Sequence, residues 1–585
     1  MRSNMRKTKI VCTIGPSSEK EEVLRQLMLE GMSVARLNFS HGSIAEHKVK
    51  VDRIKKLREE LDLPISIMFD TKGPEIRLGK LKDDMEPYLN VSDQYILTTD
   101  DIEGDEKMAS ISYSHLPEDI KIGDRILIDD GLVELKVTSV EGNKIFTRVA
   151  NGGFIKSNKG VNVPDVKLRL PSLTEKDIKD LKFGVQEDIE FIAASFIRSK
   201  DDVLKIRSVL EEEGNFDIKI ISKIESKEGL DNIDEIIEVS DGIMVARGDL
   251  GVEIPTEEVP LAQKRIIKKC NLLGKPVITA TQMLDSMIRN PRPTRAEAND
   301  VANAVLDGTD AIMLSGETAS GAYPLEAVRT MAKIAKKTEE SIDYKELLRN
   351  KISSQENTVT NSIGKSTCTI ASDISAKAII TATTSGTTSR AISKFRPENP
   401  IVAVTTDKKV RRQLELSWGI VSLIAPSANS TDEVIDMAVE VSKQNDLVKN
   451  GDLVVITAGV PVGFSGSTNL IKVQKIGELV IRGTGIGEKT YSGRCLVLKD
   501  QDDYKDFIEG DIIVTVSSDK ETVSYLEKAG GLITEESGFT SHGAIVGVEL
   551  GLPTIVGAKD ITKALKTGER IIINAKDGTI QKCED

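Results

Sequence analysis

The stretch 218–255, IKIISKIESKEGLDNIDEIIEVSDGIMVARGDLGVEIP, decides the fold class. Its apolar run up to Ile224 predicts a buried strand, 229–239 is amphipathic and helix-like, and 242–246 predicts a second buried strand. Lys223 and Glu225 are two residues apart in extended chain, so their side chains share one face. The second strand ends at Arg247-Gly248-Asp249. These charges are either ordinary surface charges or an active site at the carboxyl ends of neighbouring strands, and their clustering favours the site.

The rest of the first half of the chain repeats the same strand-helix rhythm. Eight strands are predicted, near residues 8–14, 33–39, 65–69, 190–196, 218–224, 242–247, 276–281 and 310–315. Eight strand-helix units are typical of a (β/α)₈ barrel, and the alternative is an open doubly wound sheet. Polar residues end nearly all eight strands, which favours strands that surround one mouth. We therefore predict the barrel, within an α/β fold class.

Bulk composition limits the possible functions. A length of 585 residues predicts about four domains, and 39% apolar with 29% charged residues is ordinary for a soluble globular protein. The net charge of −13 gives no basic footprint for nucleic acid. We expect no membrane span and no signal peptide, since no apolar run approaches about 20 residues. Five widely spaced cysteines indicate reduced thiols in a cytoplasmic protein.

The strand-helix rhythm breaks once and stops once, which predicts the domain order. Short alternating runs from about Arg77 to Pro164 predict an inserted β domain, residues 336–350 read as a charged linker, and four further strands from Ala378 onward predict a compact α/β domain. A last segment is long enough for one more small domain. The expected divisions are 1–70 (barrel), 71–168 (inserted β domain), 169–345 (barrel), 346–474 (α/β domain) and 475–585 (extra domain).

The residues alone suggest a chemistry. Glu225 and Asp249 could hold one Mg²⁺ or Mn²⁺, because a chain with four histidines must hold a divalent metal mainly through oxygen. Lys223 is a mobile charge suited to a phosphoryl oxygen or a developing enolate, and Arg36 can fork onto the same phosphate. No Ser-His or Cys-His pair is evident. Metal-dependent chemistry on a small anionic phosphate or oxoacid is the resulting prediction.

A hydroxyl-rich turn in the later α/β domain is a second candidate site. Residues 383–389, TTSGTTS, join a predicted strand to a helix, where N–H groups and hydroxyls suit a phosphate. A plain turn is the alternative. Gly364-Lys365-Ser366 is not a P-loop, since position 359 is Val where the motif needs Gly.

Several of these stretches together resemble the pyruvate kinase family. The motifs occur in the family's order over residues 1 to about 475: ARLNFSHG (35–42), FDTKGPEIR (69–77), KGVNVP (159–164), ISKIE (221–225), MVARGDLG (244–251), ATQM (280–283) and MLSGET (313–318). The resemblance implies a barrel, a lid inserted after the third strand and a C-terminal effector domain. It also implies phosphoryl transfer from phosphoenolpyruvate to ADP, giving pyruvate and ATP, usually in a homotetramer.

The resemblance further implies residue roles. Lys223 would stabilise the transferring phosphoryl group, Arg36 would clamp it, and Thr281 would sit near the methylene carbon. Glu225 and Asp249 would bind Mg²⁺, while Gly248 and Asp249 N–H groups would hold the substrate carboxylate. The implied K⁺ site is Asn38, Ser40, Asp70 and Thr71, with Glu75 typical of members that need K⁺. The implied nucleotide contacts are Asn38, Phe39, Ser40, His41, Arg77 and Lys159, the last acting from the lid.

The resemblance also implies an effector loop. It comprises Thr383, Thr384, Ser385, Gly386, Thr387 and Thr388, where the family binds an allosteric sugar phosphate. Thr384 replaces a basic residue found there in some relatives, which leaves the identity of the phosphorylated effector open. The segment Gly463 to Ser467 resembles the second effector loop.

The extension after residue 475 has its own resemblance. GLITEESGFTSHGAIVGVELGLPTIVGA (531–558) resembles the phosphohistidine-carrying swivelling domain of phosphoenolpyruvate-utilising enzymes, with His542 at the carrier position and Gly543 where Ala is common. No ATP-grasp domain is recognisable to charge the histidine. We therefore predict a structural or regulatory role for this domain.

Two other functions remain open at this point. An enolate lyase or aldolase could use a similar magnesium-dependent barrel, but it would not need Lys159 or the 38–41 nucleotide motif. A phosphometabolite sensor could keep the effector loops without chemistry, which the intact Lys223, Glu225, Asp249 and Arg36 argue against.

Overall fold

A computed structural model describes residues 6–353, 358–428, 430–459, 468–477 and 480–582. The chain forms two compact units. The first reaches to Val448 and includes Val454–Gln474, and the second comprises Lys449–Leu453 and the chain from Lys475 onward.

A closed eight-stranded barrel dominates the first unit. Every strand pairs in parallel with its neighbours, and the first strand pairs with the last through Lys9 and Ala311. The prediction of a barrel is confirmed, and the open sheet is excluded. In chain order the strands are Lys9–Thr13, Val34–Asn38, Ser66–Asp70, Phe191–Ala194, Lys219–Ile224, Gly242–Ala246, Val277–Ala280 and Ala311–Leu314.

Helices cover the outside of the barrel. The spacing of Thr294 and Glu297 in the sequence is that of a capping box, and the two residues do exchange hydrogen bonds where the helix Arg295–Asp307 begins. The helix predicted over 229–239 is instead two short helices that meet at Asn232. The helices of this layer are Glu21–Leu29, Ile44–Glu60, Glu175–Gln186, Lys200–Glu212, Lys227–Asp231, Ile233–Val239, Val259–Leu273, Arg295–Asp307 and Pro324–Glu339. Two further short helices, Arg247–Glu253 and Gly316–Ala319, follow strands at the carboxyl end of the barrel.

A β domain lies between the third and fourth barrel strands, as the broken rhythm predicted. Its core is apolar and includes the fully buried Tyr95. A short α-helix, Leu116–Asp119, and a 3₁₀ turn, Lys82–Asp84, interrupt the strands. Its seven-stranded sheet has the spatial order Ile76–Arg77, Gly160–Asn162, Arg125–Ile128, Val133–Glu141, Lys144–Asn151, Gln94–Thr98 and Met108–Ser110, and Tyr88–Leu89 pairs separately with Gly153–Phe154.

The expected charged linker over 336–350 is wrong. Most of it is helical, because the helix Pro324–Glu339 includes its first residues and the helix Tyr344–Ser353 follows after a short turn. Their apolar side chains, Ala335 and Leu348 among them, are buried, and most of the charges occupy the outer faces of the helices, whereas Glu339 is buried and accepts from Lys7 N and Thr8 N.

The α/β domain that follows contains a five-stranded sheet. Gly364-Lys365-Ser366 lies inside the helix Val359–Asp373, so the rejection of a P-loop is confirmed. The strands in spatial order are Ile420–Ile424, Ile401–Thr405, Ala378–Ala382, Leu453–Gly459 and Thr468–Lys475. The remaining helices are Thr387–Ser393, Lys408–Gln413 and Thr431–Gln444. The second effector loop, 463–467, falls outside the described residues.

This domain joins the amino-terminal end of the barrel. Leu416 is fully buried in the apolar cluster that fills the barrel interior. Arg396 makes a buried ion pair with Asp310, which directly precedes the eighth strand, at 2.9 Å between Nη1 and Oδ1. The α/β domain therefore closes the end opposite the strand carboxyl ends.

The second unit is a separate α/β body. Its sheet mixes parallel and antiparallel pairs, in the spatial order Val480–Arg482, Thr579–Lys582, Arg570–Asn574, Thr490–Leu498, Ile512–Thr515, Gly531–Thr534, Thr554–Val556 and Thr484–Ile486. Its helices are Lys520–Leu526, His542–Leu550 and Ile561–Ala564. Across both units, none of the described helices combines the length and the apolar character needed to cross a bilayer.

Candidate active site

Lys223 lies at the centre of the barrel mouth. It is the second-last residue of the fifth strand and is buried. Its Nζ donates to Asp70 Oδ1 at 3.0 Å and to Ser195 Oγ at 2.7 Å, and lies 2.9 Å from Glu225 Oε1. Burial alone would lower the pKa of Lys223, but the two carboxylates outweigh it and raise that pKa above its ordinary value. The lysine therefore remains an ammonium at the mouth.

Asp70 connects this ammonium to Arg36. Arg36 Nε donates to Asp70 Oδ2 at 2.6 Å, and its Nη1 donates to Thr13 Oγ1 at 2.8 Å. Burial would raise the pKa of Asp70, but Arg36 and Lys223 together hold it below its ordinary value. Two cations thus share one buried carboxylate, and both face the same mouth.

Glu225 and Asp249 carry the opposite charge at this mouth. Burial raises the pKa of Glu225 to about 7, with Asp249 adding to the shift against the attraction of Lys223. Burial likewise raises the pKa of Asp249. Two crowded, buried carboxylates of this kind become more stable as anions when a cation binds between them, so the oxygen donors fit a hard divalent metal.

The two carboxylates would not complete a metal site by themselves. Within the described parts of the chain, no group of three or more His, Cys, Asp or Glu side chains is arranged to hold a metal ion. A Mg²⁺ ion normally keeps water and substrate oxygens beside one or two carboxylates, so this donor set fits such an ion.

Asp249 belongs to a segment that begins a helix. Arg247-Gly248-Asp249, predicted as a strand end, is the first turn of the helix Arg247–Glu253. Gly248 N donates to Thr281 Oγ1 at 2.7 Å. Thr281 has φ 66°, a left-handed conformation that is costly for a β-branched residue. Arg247 stabilises it by donating to Thr281 O at 2.7 Å and to Ala280 O at 3.2 Å.

The inserted β domain faces the mouth with a charged rim. Arg77 and Lys159 line a cavity of about 690 Å³ that Asp249 also lines. Lys159 Nζ donates to Asp129 Oδ1 at 2.8 Å, and Arg77 Nε donates to Glu75 Oε2 at 2.6 Å. Both cations are thus paired within the rim and remain partly exposed.

The segment 38–41 contains two of the K⁺ candidates, Asn38 and Ser40, and lies beside a third, Asp70. Asn38 and Asp70 are register partners on neighbouring strands, and Asn38 Oδ1 accepts from Ser40 N at 3.0 Å. His41 is exposed, but the Phe39 side chain is 1% exposed and stacks on His47. The side chain of Phe39 therefore belongs to the core, and only its backbone is left for a ligand.

The loop 383–388 lines a separate cavity of about 250 Å³. Thr383 Oγ1 accepts from Gly386 N at 2.9 Å, and the buried Thr388 shares a 2.9 Å hydrogen bond with Thr468. Of the described residues that line this cavity, none is charged. Among the described contacts, one cation bonds to the backbone of the loop: Arg390 Nη2 donates to Ser385 O at 3.1 Å.

His542 begins a helix in the second unit. Its Nδ1 lies 2.8 Å from Ser518 Oγ, and the preceding Ser541 caps the helix. A Cβ on Gly543 would lie 3.1 Å from Thr534 Cγ2 and 3.3 Å from Ser518 Oγ, so an alanine here would crowd the partner of the histidine. The carboxylate of Glu535 accepts hydrogen bonds from the N–H and hydroxyl groups of Thr562.

Sequence reasoning missed part of the mouth. Thr13 and Ser195 had no assigned role, and Asp70 was assigned only to K⁺, although it accepts from both Arg36 and Lys223. Their one sequence signal is position, because each lies within one residue of the carboxyl end of a predicted strand.

The fold and the mouth together define the class: a (β/α)₈-barrel enzyme with buried cations and carboxylates where its strands end. Family models for the pyruvate kinase barrel domain, the pyruvate kinase alpha/beta domain and the mobile domain of PEP-utilising enzymes match residues 5–328, 361–474 and 507–578. The chain belongs to the pyruvate kinase family, and it is a phosphotransferase.

Individual relatives agree with the family models. A pyruvate kinase of Geobacillus stearothermophilus is 50% identical over 580 residues, and one of Bacillus licheniformis is 52% identical over 581, each match covering 99% of both chains. A crystal structure of a pyruvate kinase from Cryptosporidium parvum is 42% identical with a TM-score of 0.77, covering 80% of this chain and 96% of that one.

Proposed function

We propose that the barrel mouth carries out the family reaction, transfer of the phosphoryl group of phosphoenolpyruvate to ADP, in glycolysis. The observation that carries this proposal is the buried ammonium of Lys223 beside Arg36, with Glu225 and Asp249 at the same mouth. Preorganised charges in a water-poor site stabilise a transferring phosphoryl group without reorganising during the reaction.

In the proposed reaction, a β-phosphate oxygen of ADP attacks phosphorus while the bond from phosphorus to the enol oxygen breaks. The bonding electron pair stays on the enol oxygen and leaves an enolate. Lys223 holds the charge of the phosphoryl oxygens, and Arg36 orients the phosphate. The N–H groups of Gly248 and Asp249 bind the substrate carboxylate, which takes the place of Thr281 Oγ1 as the acceptor of the Gly248 N–H.

Protonation of the enolate at its methylene carbon completes the reaction and gives pyruvate. Thr281 is the proposed residue on this proton path. Its strained backbone supports the assignment, since strain persists where the surrounding contacts hold a residue in a functional geometry.

Metal ions complete the proposed site. Glu225 and Asp249 would hold Mg²⁺ or Mn²⁺, which supplies charge for the enolate and phosphate oxygens when bound. The oxygen atoms of Asn38, Ser40, Asp70 and Thr71 would hold K⁺, and the register pairing of Asn38 with Asp70 supports this set.

The β domain would act as a lid over the nucleotide. Lys159 and Arg77 are the proposed nucleotide contacts on this lid, together with Asn38, Ser40, His41 and the backbone of Phe39. Closure would exclude water and favour transfer to ADP over hydrolysis.

The remaining assignments concern regulation and assembly. We propose a phosphorylated effector at loop 383–388, a homotetramer and a cytoplasmic location. We also propose the divisions 1–70 with 169–345 (barrel), 71–168 (lid), 346–474 (effector domain) and 475–585 (extra domain).

A coupled assay of the full-length chain tests the function. Pyruvate should form from phosphoenolpyruvate only when ADP and a divalent metal are both present, with equal amounts of ATP and pyruvate. Pyruvate formed without ADP would indicate a lyase or phosphatase, and binding of phosphoenolpyruvate without turnover would indicate a sensor.

A further inference from the structure

Ser195 is the neutral member of the three groups that surround the Lys223 ammonium. The other two are the carboxylates of Asp70 and Glu225. An ammonium has three N–H donors, and here each one has a partner within 3.0 Å. The Ser195 contact is the shortest of the three, at 2.7 Å.

The hydroxyl group of Ser195 has a defined direction. Because the ammonium can only donate, Ser195 Oγ must accept from Lys223. Its own proton then points to Thr71 O, 2.6 Å away, in preference to Asp70 Oδ1, which lies 3.2 Å from the same oxygen. The backbone is held in turn, since Ser195 N donates to Thr71 Oγ1 at 3.1 Å. Ser195 is 5% exposed, so little water is available to replace its hydroxyl group.

Ser195 also lies in a segment that contacts Lys223 of the fifth strand and Glu225, which directly follows that strand. It directly follows the fourth barrel strand, and the next residue, Phe196, donates its N–H to Glu225 Oε2 at 2.6 Å. Phe196 has φ 54°, an uncommon conformation for a bulky residue. This short segment therefore aims one contact at Lys223 and one at Glu225.

We propose that Ser195 is a positioning residue that keeps the Lys223 ammonium aimed at the transferring phosphoryl group, an inference that rests on the proposed function. Without the hydroxyl, the two carboxylates are the only partners left for a buried ammonium. Coulomb attraction then draws it toward them and away from the substrate. Displacement of a catalytic group by about 1 Å can lower a rate by about 10²-fold.

The first test is Ser195→Ala in the full-length chain. We expect kcat to fall by about 10- to 100-fold, with the KM for phosphoenolpyruvate within about threefold of the parent. Ser195→Thr, which restores a hydroxyl, should recover kcat to within about threefold of the parent. A purely structural role would not give this split between kcat and KM.

Ser222→Ala is the matched control. Ser222 is also a fully buried hydroxyl, adjacent to Lys223 in sequence, but it bonds to Ser240 at 2.6 Å on the outer side of the barrel. The control and Ser195→Ala should lower the melting temperature comparably, while only Ser195→Ala lowers kcat. Equal loss of kcat in both variants would overturn the proposal.

A double substitution tests whether Ser195 acts through the lysine. In a Lys223→Met background, Ser195→Ala should change kcat by less than about twofold, because the group it positions is gone. A full additional loss would show an independent role and overturn the proposal, as would parental kcat in the single variant. An unsubstituted chain without ADP-dependent pyruvate formation would instead contradict the proposed function.

Discussion

The barrel mouth and the 383–388 loop are two candidate anion sites built in opposite ways. At the mouth, buried side chains of both signs contact one another, and the single carboxylate of Asp70 accepts hydrogen bonds from both Arg36 and Lys223. At the loop, hydroxyls and backbone N–H groups line the cavity, and the described lining residues carry no charge. The contacts at the mouth shift the pKa values of its carboxylates and its lysine. The described lining of the loop cavity has no charged group whose pKa could be shifted in this way.

The difference indicates different tasks. Buried charges stabilise charge that develops during a reaction, because the low dielectric strengthens each interaction. Neutral donors give a weaker contact that a metabolite can form and leave reversibly. We therefore expect chemistry at the mouth and regulation at the loop, and the following experiments test that contrast.

The largest effect is expected for Lys223→Met. It should lower kcat by about 10³-fold or more while metal and substrate binding remain largely intact, since a charge aimed at the transition state is lost. Steady-state kinetics with phosphoenolpyruvate and ADP measure this. Lys182→Met, which removes an exposed lysine paired with Glu213 on an outer helix, is the control and should leave kcat unchanged. A Lys223 variant within tenfold of the parent would remove the lysine from its proposed role.

Metal binding should depend on pH through Glu225. Its pKa of about 7 lies above the ordinary 4.5, so the folded, metal-free site takes up a proton as pH falls toward 7. A metal must displace that proton, and apparent Mg²⁺ affinity should fall about tenfold from pH 8 to pH 6. Thermal-shift titration with Mg²⁺ measures this without turnover.

The raised pKa of Glu225 also makes the stability of the metal-free protein depend on pH, in the direction opposite to Mg²⁺ affinity. Without metal, the Glu225 contribution stabilises the fold at low pH and is lost as pH rises from about 4.5 through about 7. Mg²⁺ affinity that is equal at pH 6 and pH 8 would show that Glu225 is already ionised in the free protein.

The loop should respond to loss of hydroxyls without loss of chemistry. Replacing Thr383, Ser385 and Thr388 together by Ala should raise the concentration of a sugar phosphate needed for half activation by about tenfold or more, and basal turnover should persist. A hexose bisphosphate and a pentose phosphate would be tested separately. Thr369→Ala, on a helix of the same domain, is the control. Unchanged activation would place the effector elsewhere.

The smallest effect is expected for His542→Ala. The proposed reaction passes phosphoryl directly between two substrates at the mouth, so turnover should stay within about twofold of the parent. Wild-type protein incubated with labelled phosphoenolpyruvate should carry no acid-labile phosphate. Label that disappears in the variant would make the domain a phosphocarrier, and Ser518, which bonds the histidine Nδ1, would then fix its ring.

The sequence predicted the local elements well for a physical reason. Strand and helix periodicity, the Thr294 capping box and polar strand ends are each encoded within a few residues, so they can be read without knowing the partners of a segment. The 336–350 linker was wrong because charge on an outer helix face looks like charge in a linker until the buried face is known.

The sequence also predicted the charged residues of the mouth, from their positions at strand ends and from the family motifs, but not the residues that support them. Lys223, Glu225, Asp249 and Arg36 were all named from the sequence. Thr13 and Ser195 were not, because a serine or threonine at a strand end has many uses and no distinguishing pattern.

By itself, then, the sequence determined the order of elements, the eight-strand barrel and the charged groups that end its strands. Only the tertiary structure decided which of these groups meet. Lys223 reaches Asp70 across 153 residues of chain and Ser195 across 28, and both contacts exist because the barrel closes. Burial then set their charges, since a pKa depends on the surrounding groups and on excluded water rather than on sequence neighbours.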